Sequence, residues 1–119
     1  MRKRKIYIAG PMTGIERWNR PAFVKAAERL RGLGWEVTSP VEIADAFGSQ
    51  NTIVTTPGLL DTVIDEELAQ LATCDAICLL EGWEKSRGAK CELFLALDKG
   101  MEIMIWPNAV RPSGLERTR

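Results

Sequence analysis

Short runs of β-forming, mostly apolar residues alternate with longer stretches of helical period, and this alternation restricts the fold more than any other feature of the chain. The runs are KIYIA at 5–9, WEVTSP at 35–40, DAICLLEG at 75–82 and MEIMIWP at 101–107. Apolar strands of this kind are typical of a parallel sheet with helices on both faces. Right-handed connections between them predict an α/β fold, a flavodoxin- or Rossmann-like three-layer sandwich. We expect four or five parallel strands in the order 2-1-3-4.

The helices between these strands are predicted from apolar residues at helical spacing and from residues typical of helix ends. In the stretch 20–34, Pro21 stands near the first turn and Gly34 just past the last one. The stretches 59–74 and 88–100 are the other two predicted helices.

Two further segments are assigned from composition. VEIADAF at 41–47 is compatible with a short helix, whereas GSQNTIVTTPG at 48–58 shows no sustained period. The whole segment 41–58 is long for a plain connection, which favours a lid or a binding loop. Residues 107–119 are interpreted as a polar tail of a single domain that spans 1–119.

The charge balance excludes several classes of partner. Sixteen Lys and Arg balance sixteen Asp and Glu, so no overall field attracts nucleic acid or a membrane surface, and we expect neither as a partner. No apolar stretch approaches the roughly 18 residues that a membrane-spanning helix needs, and Met1 is followed by charged residues. These features predict a cytoplasmic protein.

The histidine and cysteine content limits the kinds of catalytic site, metal site and disulfide framework that the chain can form. Histidine is absent, which excludes Ser-His-Asp and Cys-His nucleophile pairs and every zinc site that uses imidazole. Three cysteines without a CxxC pair do not make a disulfide framework. Proton transfer would have to use carboxylates, Tyr7, lysine or groups of the substrate, and we expect no metal and no cofactor.

The expected strand order brings two loops to one crevice. In an open parallel sheet, ligands bind at the carboxyl ends of the strands that border the reversal of strand order. Those ends are GPMTG at 10–14 and EGWEKSRG at 81–88. The first loop matches neither the dinucleotide nor the triphosphate motif, but it offers free backbone amides and the Thr13 hydroxyl. An anion-binding turn and a plain tight turn are both compatible with it.

Glu92 is the first candidate for chemistry at this crevice. It lies in the first or second turn of the predicted helix 88–100, at the edge of its apolar stripe. The partial positive charge of the helix end favours an ionised carboxylate by about 0.3–1 kcal/mol at an exposed site. Such a carboxylate, facing the crevice, is able to act as a nucleophile. The alternative is a glutamate that only complements the helix dipole.

Glu67 is the second candidate, because it falls inside an apolar stripe of the helix 59–74. The stripe comprises Leu60, Val63, Ile64, Leu68 and Leu71. A carboxylate at its centre must be paired, protonated or exposed in a cleft, since burying it without compensation is prohibitive. A functional position and a structural salt bridge to Arg or Lys remain equally open.

The loop before the helix 88–100 contains groups suited to a phosphate. A hydroxyl from Ser86, cations from Lys85 and Arg87 and free amides at a helix N-terminus would bind a phosphate monoester. An N-cap serine in a charged loop is the alternative reading. Trp18 and Trp83, one near each crevice loop, would stack on a nucleobase or pack on the rim of the crevice.

Three stretches together resemble the nucleoside 2-deoxyribosyltransferase-like superfamily, most closely its small bacterial and phage branch. They are YIAGPMTG, AAERLRGLGWEVTSP and LAQLATCDAICLLEGWEKSRGAKCELFLALDKG, within residues 5–106. The resemblance implies a two-step, retaining displacement at the anomeric carbon of a 2-deoxyribosyl group. By this resemblance, Glu92 is the nucleophile that forms a glycosyl-enzyme intermediate, which a second base or water resolves.

The same resemblance assigns roles to two further residues. Six residues before the nucleophile, transferases have an aspartate and the deoxynucleoside 5′-monophosphate N-glycosidases a phosphate-contacting serine; here the residue is Ser86. Eight residues before Asp75, where the family has an aspartate near the base or sugar, stands Glu67, which implies an acid/base or base-orienting role. The bulky, charged GWEKSRGAKCE and the segment 41–58 depart from the family pattern.

We therefore expect an N-glycosidase or 2-deoxyribosyltransferase-like enzyme that acts on 2-deoxynucleosides or their 5′-monophosphates, with Glu92 and Glu67 catalytic. The expected substrate-binding residues are Tyr7, Gly10, Pro11, Met12, Thr13, Gly14, Trp18, Trp83, Ser86, Arg87 and Gly88. The alternative is a non-catalytic nucleotide sensor that uses the same crevice. Relatives complete their sites across subunits, so the resemblance also implies a homodimer or a larger homo-oligomer.

Overall fold

The computed structural model describes residues 3–112 and contains one four-stranded, all-parallel sheet. Its strands are β1 (Lys5–Ala9), β2 (Glu36–Thr38), β3 (Ala76–Leu79) and β4 (Glu102–Ile105). Their order is β2-β1-β3-β4, which confirms the predicted fold class and places the reversal of strand order between β1 and β3. Of the predicted tail, residues 113–119 lie outside the described residues.

Five helices accompany the sheet in this part of the chain. They are α1 (Arg20–Gly32), α2 (Pro40–Asp45), α3 (Gln50–Thr55), α4 (Leu59–Leu71) and α5 (Arg87–Asp98). The long helices α1, α4 and α5 match the three predicted ones, although each ends two or three residues early. Among residues 3–112, no helix combines the length and apolar character needed to cross a membrane.

The two-residue period of β1 divides the core between the faces of the sheet. Ile6 and Ile8 pack with α1 in one cluster, whereas Tyr7 and Ala9 point to the other face and pack with the cluster that contains residues of α5. All four side chains are fully buried. This alternation directs the Tyr7 side chain towards the helix that contains Glu92.

The expected loop at 48–58 is wrong, because α3 occupies half of it. Ser49 caps this helix by accepting a hydrogen bond from the Thr52 amide at 3.1 Å. The helix is only six residues long and has one buried residue, Ile53, so no helical period is visible in its sequence. Ile53 packs with Ala44 of α2 and Val63 of α4 in a third apolar cluster.

The turn Glu16–Asn19 between β1 and α1 has an unusual backbone. Arg17, Trp18 and Asn19 all have φ between 54° and 61°, in the left-handed region. L-residues reach this region at a cost of roughly 1–2 kcal/mol each, and a run of three without glycine is rare. The surrounding contacts must therefore maintain this turn.

Candidate functional site

A cavity of about 300 Å³ opens at the carboxyl edge of the sheet, beside the reversal of strand order. Its volume lies at the lower end of the range for small-molecule sites. The loop after β1 and the start of α5 form one side of it, and α2, α3 and α4 form the other. Its lining comprises Gly10, Pro11, Met12, Thr13, Trp18, Ala44, Val54, Leu60, Val63, Ile64, Glu67, Ser86, Arg87, Gly88, Ala89 and Glu92.

Glu92 lies in the second turn of α5 and is only 9% exposed, with its side chain at the cavity wall. The Tyr7 hydroxyl donates a hydrogen bond to Glu92 Oε2 at 2.7 Å. This bond leaves the other carboxylate oxygen without a Tyr7 contact. The arrangement suits a carboxylate held in one orientation with one oxygen available to the cavity.

Glu67 reaches the same cavity from the opposite helix, α4. It is partly buried, and burial raises the pKa of its carboxyl from the usual 4.5 to about 8, with a further increase from the negative charge of Glu92. Burial also raises the pKa of Glu92 to about 7, although the hydrogen bond from Tyr7 opposes this change. Desolvation thus outweighs the helix dipole that the sequence suggested for Glu92.

The two carboxyl groups therefore hold about one proton between them near neutral pH. The hydrogen bond from Tyr7 lowers the pKa of Glu92 and the charge of Glu92 raises the pKa of Glu67, so both effects favour a proton on Glu67 and an ionised Glu92. The pKa of Tyr7 is raised well above its usual value, first by burial and then by the charge of Glu92, so its hydroxyl stays a donor. An ionised carboxylate and a protonated one across a cavity are the pair that glycosidic bond cleavage uses.

The raised pKa values make stability depend on pH. Below pH 4.5 both carboxyl groups are protonated in the folded and unfolded chain, whereas above pH 8 the folded chain must bury two charges. Stability is therefore lost as pH rises from about 4.5 to 8. We expect Glu67→Gln to match the parent at pH 5 and to exceed its free energy of unfolding at pH 9 by on the order of 2–3 kcal/mol.

Urea denaturation of both proteins at the two pH values measures this difference. Glu66→Gln, one residue away on α4, is the matched control, because Glu66 is not among the residues that line the cavity. An equal pH dependence in the parent and in Glu67→Gln would contradict the burial of a protonated Glu67.

Ser86 is the N-cap of α5 and also lines the cavity. Its Oγ accepts a hydrogen bond from the Ala89 amide at 3.1 Å, as the alternative reading of this residue required. The hydroxyl proton of Ser86 is not used by that bond. Arg87 and Gly88 stand beside it at the cavity, whereas Lys85 is not among the lining residues.

Four of the five residues of the loop 10–14 line the cavity, and Gly10 is also required for packing. A Cβ on Gly10 would lie 2.8 Å from the Leu80 Cβ, so close packing against the end of β3 already requires glycine there. Pro11, Met12 and Thr13 line the cavity. Gly14, which has a φ of 81°, is not among the lining residues.

The two tryptophans separate. Trp18 lines the cavity and packs against the cluster of Ala44, Ile53 and Val63. Trp83 lies outside the lining and packs against the core on the α5 side of the sheet, so its expected contact with substrate has no support from the geometry. Tyr7 likewise lies behind the cavity wall and reaches the site through Glu92.

Sequence reasoning missed one wall of the cavity. This apolar wall comprises Ala44, Val54, Leu60, Val63 and Ile64. Three of these residues, Leu60, Val63 and Ile64, belong to the same apolar stripe of α4 as Glu67, so the stripe indicates a cavity wall as well as a core. Ala44 and Val54 had no such signal, because their short helices show no period.

The described residues include no group of three or more Cys, Asp, Glu or His placed to hold a metal ion. The polar groups described at this site include its two carboxyl groups, the Tyr7 hydroxyl and the Ser86 hydroxyl at the start of α5.

Comparison with known protein families identifies one family whose sequence pattern the chain matches. Residues 4–105 match a family described as a domain of unknown function, DUF4406. The match includes all four strands and both cavity carboxylates. No curated protein matches the chain.

Proposed function

This chain belongs to the DUF4406 family, and we propose that it cleaves the N-glycosidic bond of 2-deoxynucleosides or their 5′-monophosphates through a glutamate nucleophile. The observation that supports the proposal is the pair Glu92 and Glu67 in one cavity, with Glu92 oriented by Tyr7. The resemblance to the deoxyribosyltransferase-like superfamily points to the same reaction.

In the first step, the Glu92 oxygen that Tyr7 does not contact attacks C1′ of the sugar. The C1′–N bond breaks and its electron pair goes to the base, which takes a proton from Glu67. The result is a glycosyl ester on Glu92, and the Tyr7 hydroxyl remains bonded to the second carboxylate oxygen. In the second step, water gives a proton to Glu67 and attacks C1′, and Glu92 leaves as a carboxylate.

The groups at the start of α5 suit the 5′-phosphate. Ser86 and Arg87 line the cavity at the N-terminus of α5, where amides and the helix dipole favour an anion. With the phosphate there, the sugar would lie between Ser86 and Glu92 along α5. The apolar wall from α3 and α4 would then face the base.

Ser86→Asp tests this orientation without removing the helix cap. Aspartate caps a helix as well as serine does, but its charge repels a phosphate. We expect kcat/KM for 5′-monophosphates to fall by about 100-fold relative to the unphosphorylated nucleosides. Steady-state kinetics with dAMP and deoxyadenosine measure the ratio.

Ser49→Asp is the matched control, because Ser49 caps α3 in the same way and is not at the cavity lining. If Ser86→Asp leaves the ratio of the two substrates unchanged, the phosphate does not bind at this end of α5.

The activity itself is tested with the four deoxynucleoside monophosphates, by chromatography for released base and calorimetry for binding. Release of base would support the proposed N-glycosidase activity. Binding without release would instead support the sensor reading of the same cavity, and neither binding nor release would reject both.

We also propose that the chain forms a homodimer or a larger homo-oligomer, since α5 exposes Phe94 (77%) and Leu97 (57%). We expect light scattering to give at least twice the mass of the chain, and Phe94→Asp to reduce it. Val24→Asp, on the exposed face of α1, is the matched control and should not change the mass. A monomer at all concentrations would contradict this expectation.

A further inference from the structure

The left-handed turn 17–19, whose backbone is strained, lies beside the cavity. Its middle residue, Trp18, lines the cavity, and its flanking residues Arg17 and Asn19 do not. Backbone held in a rarely populated region marks sites where side-chain direction matters, and here the direction in question is that of Trp18. A chain that only needed to connect β1 to α1 would not require three such residues.

Asn19 is the residue that ties this turn to the cavity loop. Its Nδ2 donates a hydrogen bond to the Pro11 carbonyl at 3.1 Å, across the loop that lines the cavity. Within the turn, the Trp18 amide donates to the Ile15 carbonyl at 3.0 Å and the Arg20 amide donates to the Arg17 carbonyl. Asparagine is also among the few residues that tolerate a left-handed backbone, so both its backbone and its amide suit this position.

Trp18 contacts an apolar cluster and also lines the cavity. The indole packs against the cluster of Ala44, Ile53 and Val63, and it also borders the cavity. An aromatic ring fixed in this way presents a flat surface to a planar ligand. The bond from the adjacent Asn19 to the Pro11 carbonyl ties the backbone beside Trp18 to the loop that lines the cavity.

We propose that Asn19 is a positioning residue that holds Trp18 at the cavity as the stacking surface for the base of the substrate. Asn19 lines a separate cavity on the α1 side, so it acts through Pro11 and Trp18 and not by touching the substrate. The inference rests on the proposed function for the identity of the ligand. The placement of Trp18 by Asn19 is tested separately.

Asn19→Asp is the decisive substitution, because aspartate has the same shape and tolerates the same backbone but cannot donate to the Pro11 carbonyl. Asn19→Gly removes the bond without adding charge. We expect either variant to raise KM for dAMP by about tenfold with kcat within about twofold of the parent. A purely structural role would instead lower the melting temperature and leave KM unchanged.

Asn51→Asp adds the same charge to the exposed face of α3 and is the matched control for Asn19→Asp. It should leave KM unchanged. If Asn51→Asp raises KM as much as Asn19→Asp does, charge explains the effect and the positioning role of Asn19 is overturned.

Fluorescence follows Trp18 directly and needs no turnover. In a Trp83→Phe, Trp106→Phe background the remaining tryptophans are Trp18 and the fully buried Trp35, so acrylamide quenching reports on Trp18. We expect Asn19→Gly to increase quenching and dAMP to protect Trp18 in the parent. Unchanged quenching in Asn19→Gly overturns the positioning role. Increased quenching in a protein that neither binds nor cleaves dAMP supports the positioning role and rejects the proposed function alone.

Discussion

Glu92→Gln is expected to abolish base release from deoxynucleoside monophosphates, with a loss in kcat of at least about 1,000-fold, because the amide cannot form the glycosyl ester. The same variant should be more stable than the parent at pH 8. In the parent, Glu92 is only 9% exposed and its pKa is raised to about 7, so at pH 8 the folded chain must bury a charged carboxylate. Glutamine is neutral and avoids this loss of stability. Loss of activity with a gain in stability is the expected combination.

Released base measured by chromatography and thermal unfolding at pH 8 test the two halves of this prediction. Glu84→Gln removes an exposed carboxylate from the neighbouring loop and should change neither. Turnover of Glu92→Gln equal to that of the parent would exclude Glu92 as the nucleophile, whatever its stability.

Glu67→Gln should separate substrates by the charge of their leaving group. A neutral base needs a proton as the C1′–N bond breaks, and a general acid contributes about 10²–10⁴-fold to such a step. A base that is already cationic, such as 7-methylguanine, leaves without that proton. We expect Glu67→Gln to lower the single-turnover rate of base release from dGMP by about 100-fold or more. For the 7-methyl derivative, that rate should stay within about tenfold of the parent, because its first step needs no proton from Glu67.

The pH profile gives an independent check on this role. With a pKa of about 8, Glu67 loses its proton in the alkaline range, so the parent's single-turnover base release from dGMP should fall there more steeply than its release from the methylated nucleotide. Glu66→Gln, on the same helix, should behave as the parent with both substrates. Equal losses on the two substrates in Glu67→Gln would indicate a base-orienting residue and not a proton donor.

The two predictions have one physical origin. Glu67 and Glu92 are placed where their ionisation is unfavourable, and the folded chain loses stability for each charge that it buries there. The hydrogen bond from the Tyr7 hydroxyl offsets part of this loss for Glu92. The hydroxyl has a single proton, so it provides no such bond to Glu67. This difference determines which carboxyl holds the shared proton.

Several parts of the site were visible in the sequence because they depend on local pattern. A carboxylate within an apolar stripe identified Glu67, and a glutamate after a strand-to-helix loop identified Glu92. Both line the cavity. By contrast, α3 has six residues and a single buried contact, Ile53, so Val54 could not be assigned to the cavity wall before the helix was placed.

The left-handed turn 17–19 was also outside the reach of sequence patterns. Asn19 tolerates such a backbone, but arginine and tryptophan do not favour it, so nothing in the letters ERWN predicts it. The turn exists because contacts made elsewhere, such as the Trp18 packing on α2, α3 and α4, offset its cost.

The parallel α/β sheet, its strand order and two carboxylates near its carboxyl edge follow from the sequence, because strand and helix periods and the order of elements are local or topological properties. How those carboxylates titrate and which groups orient them depends instead on tertiary packing. Tyr7 and Glu92 are 85 residues apart in the chain, and their hydrogen bond exists only after β1 and α5 pack. Desolvation has the same origin, since water is excluded from Glu67 and Glu92 by residues of several elements at once.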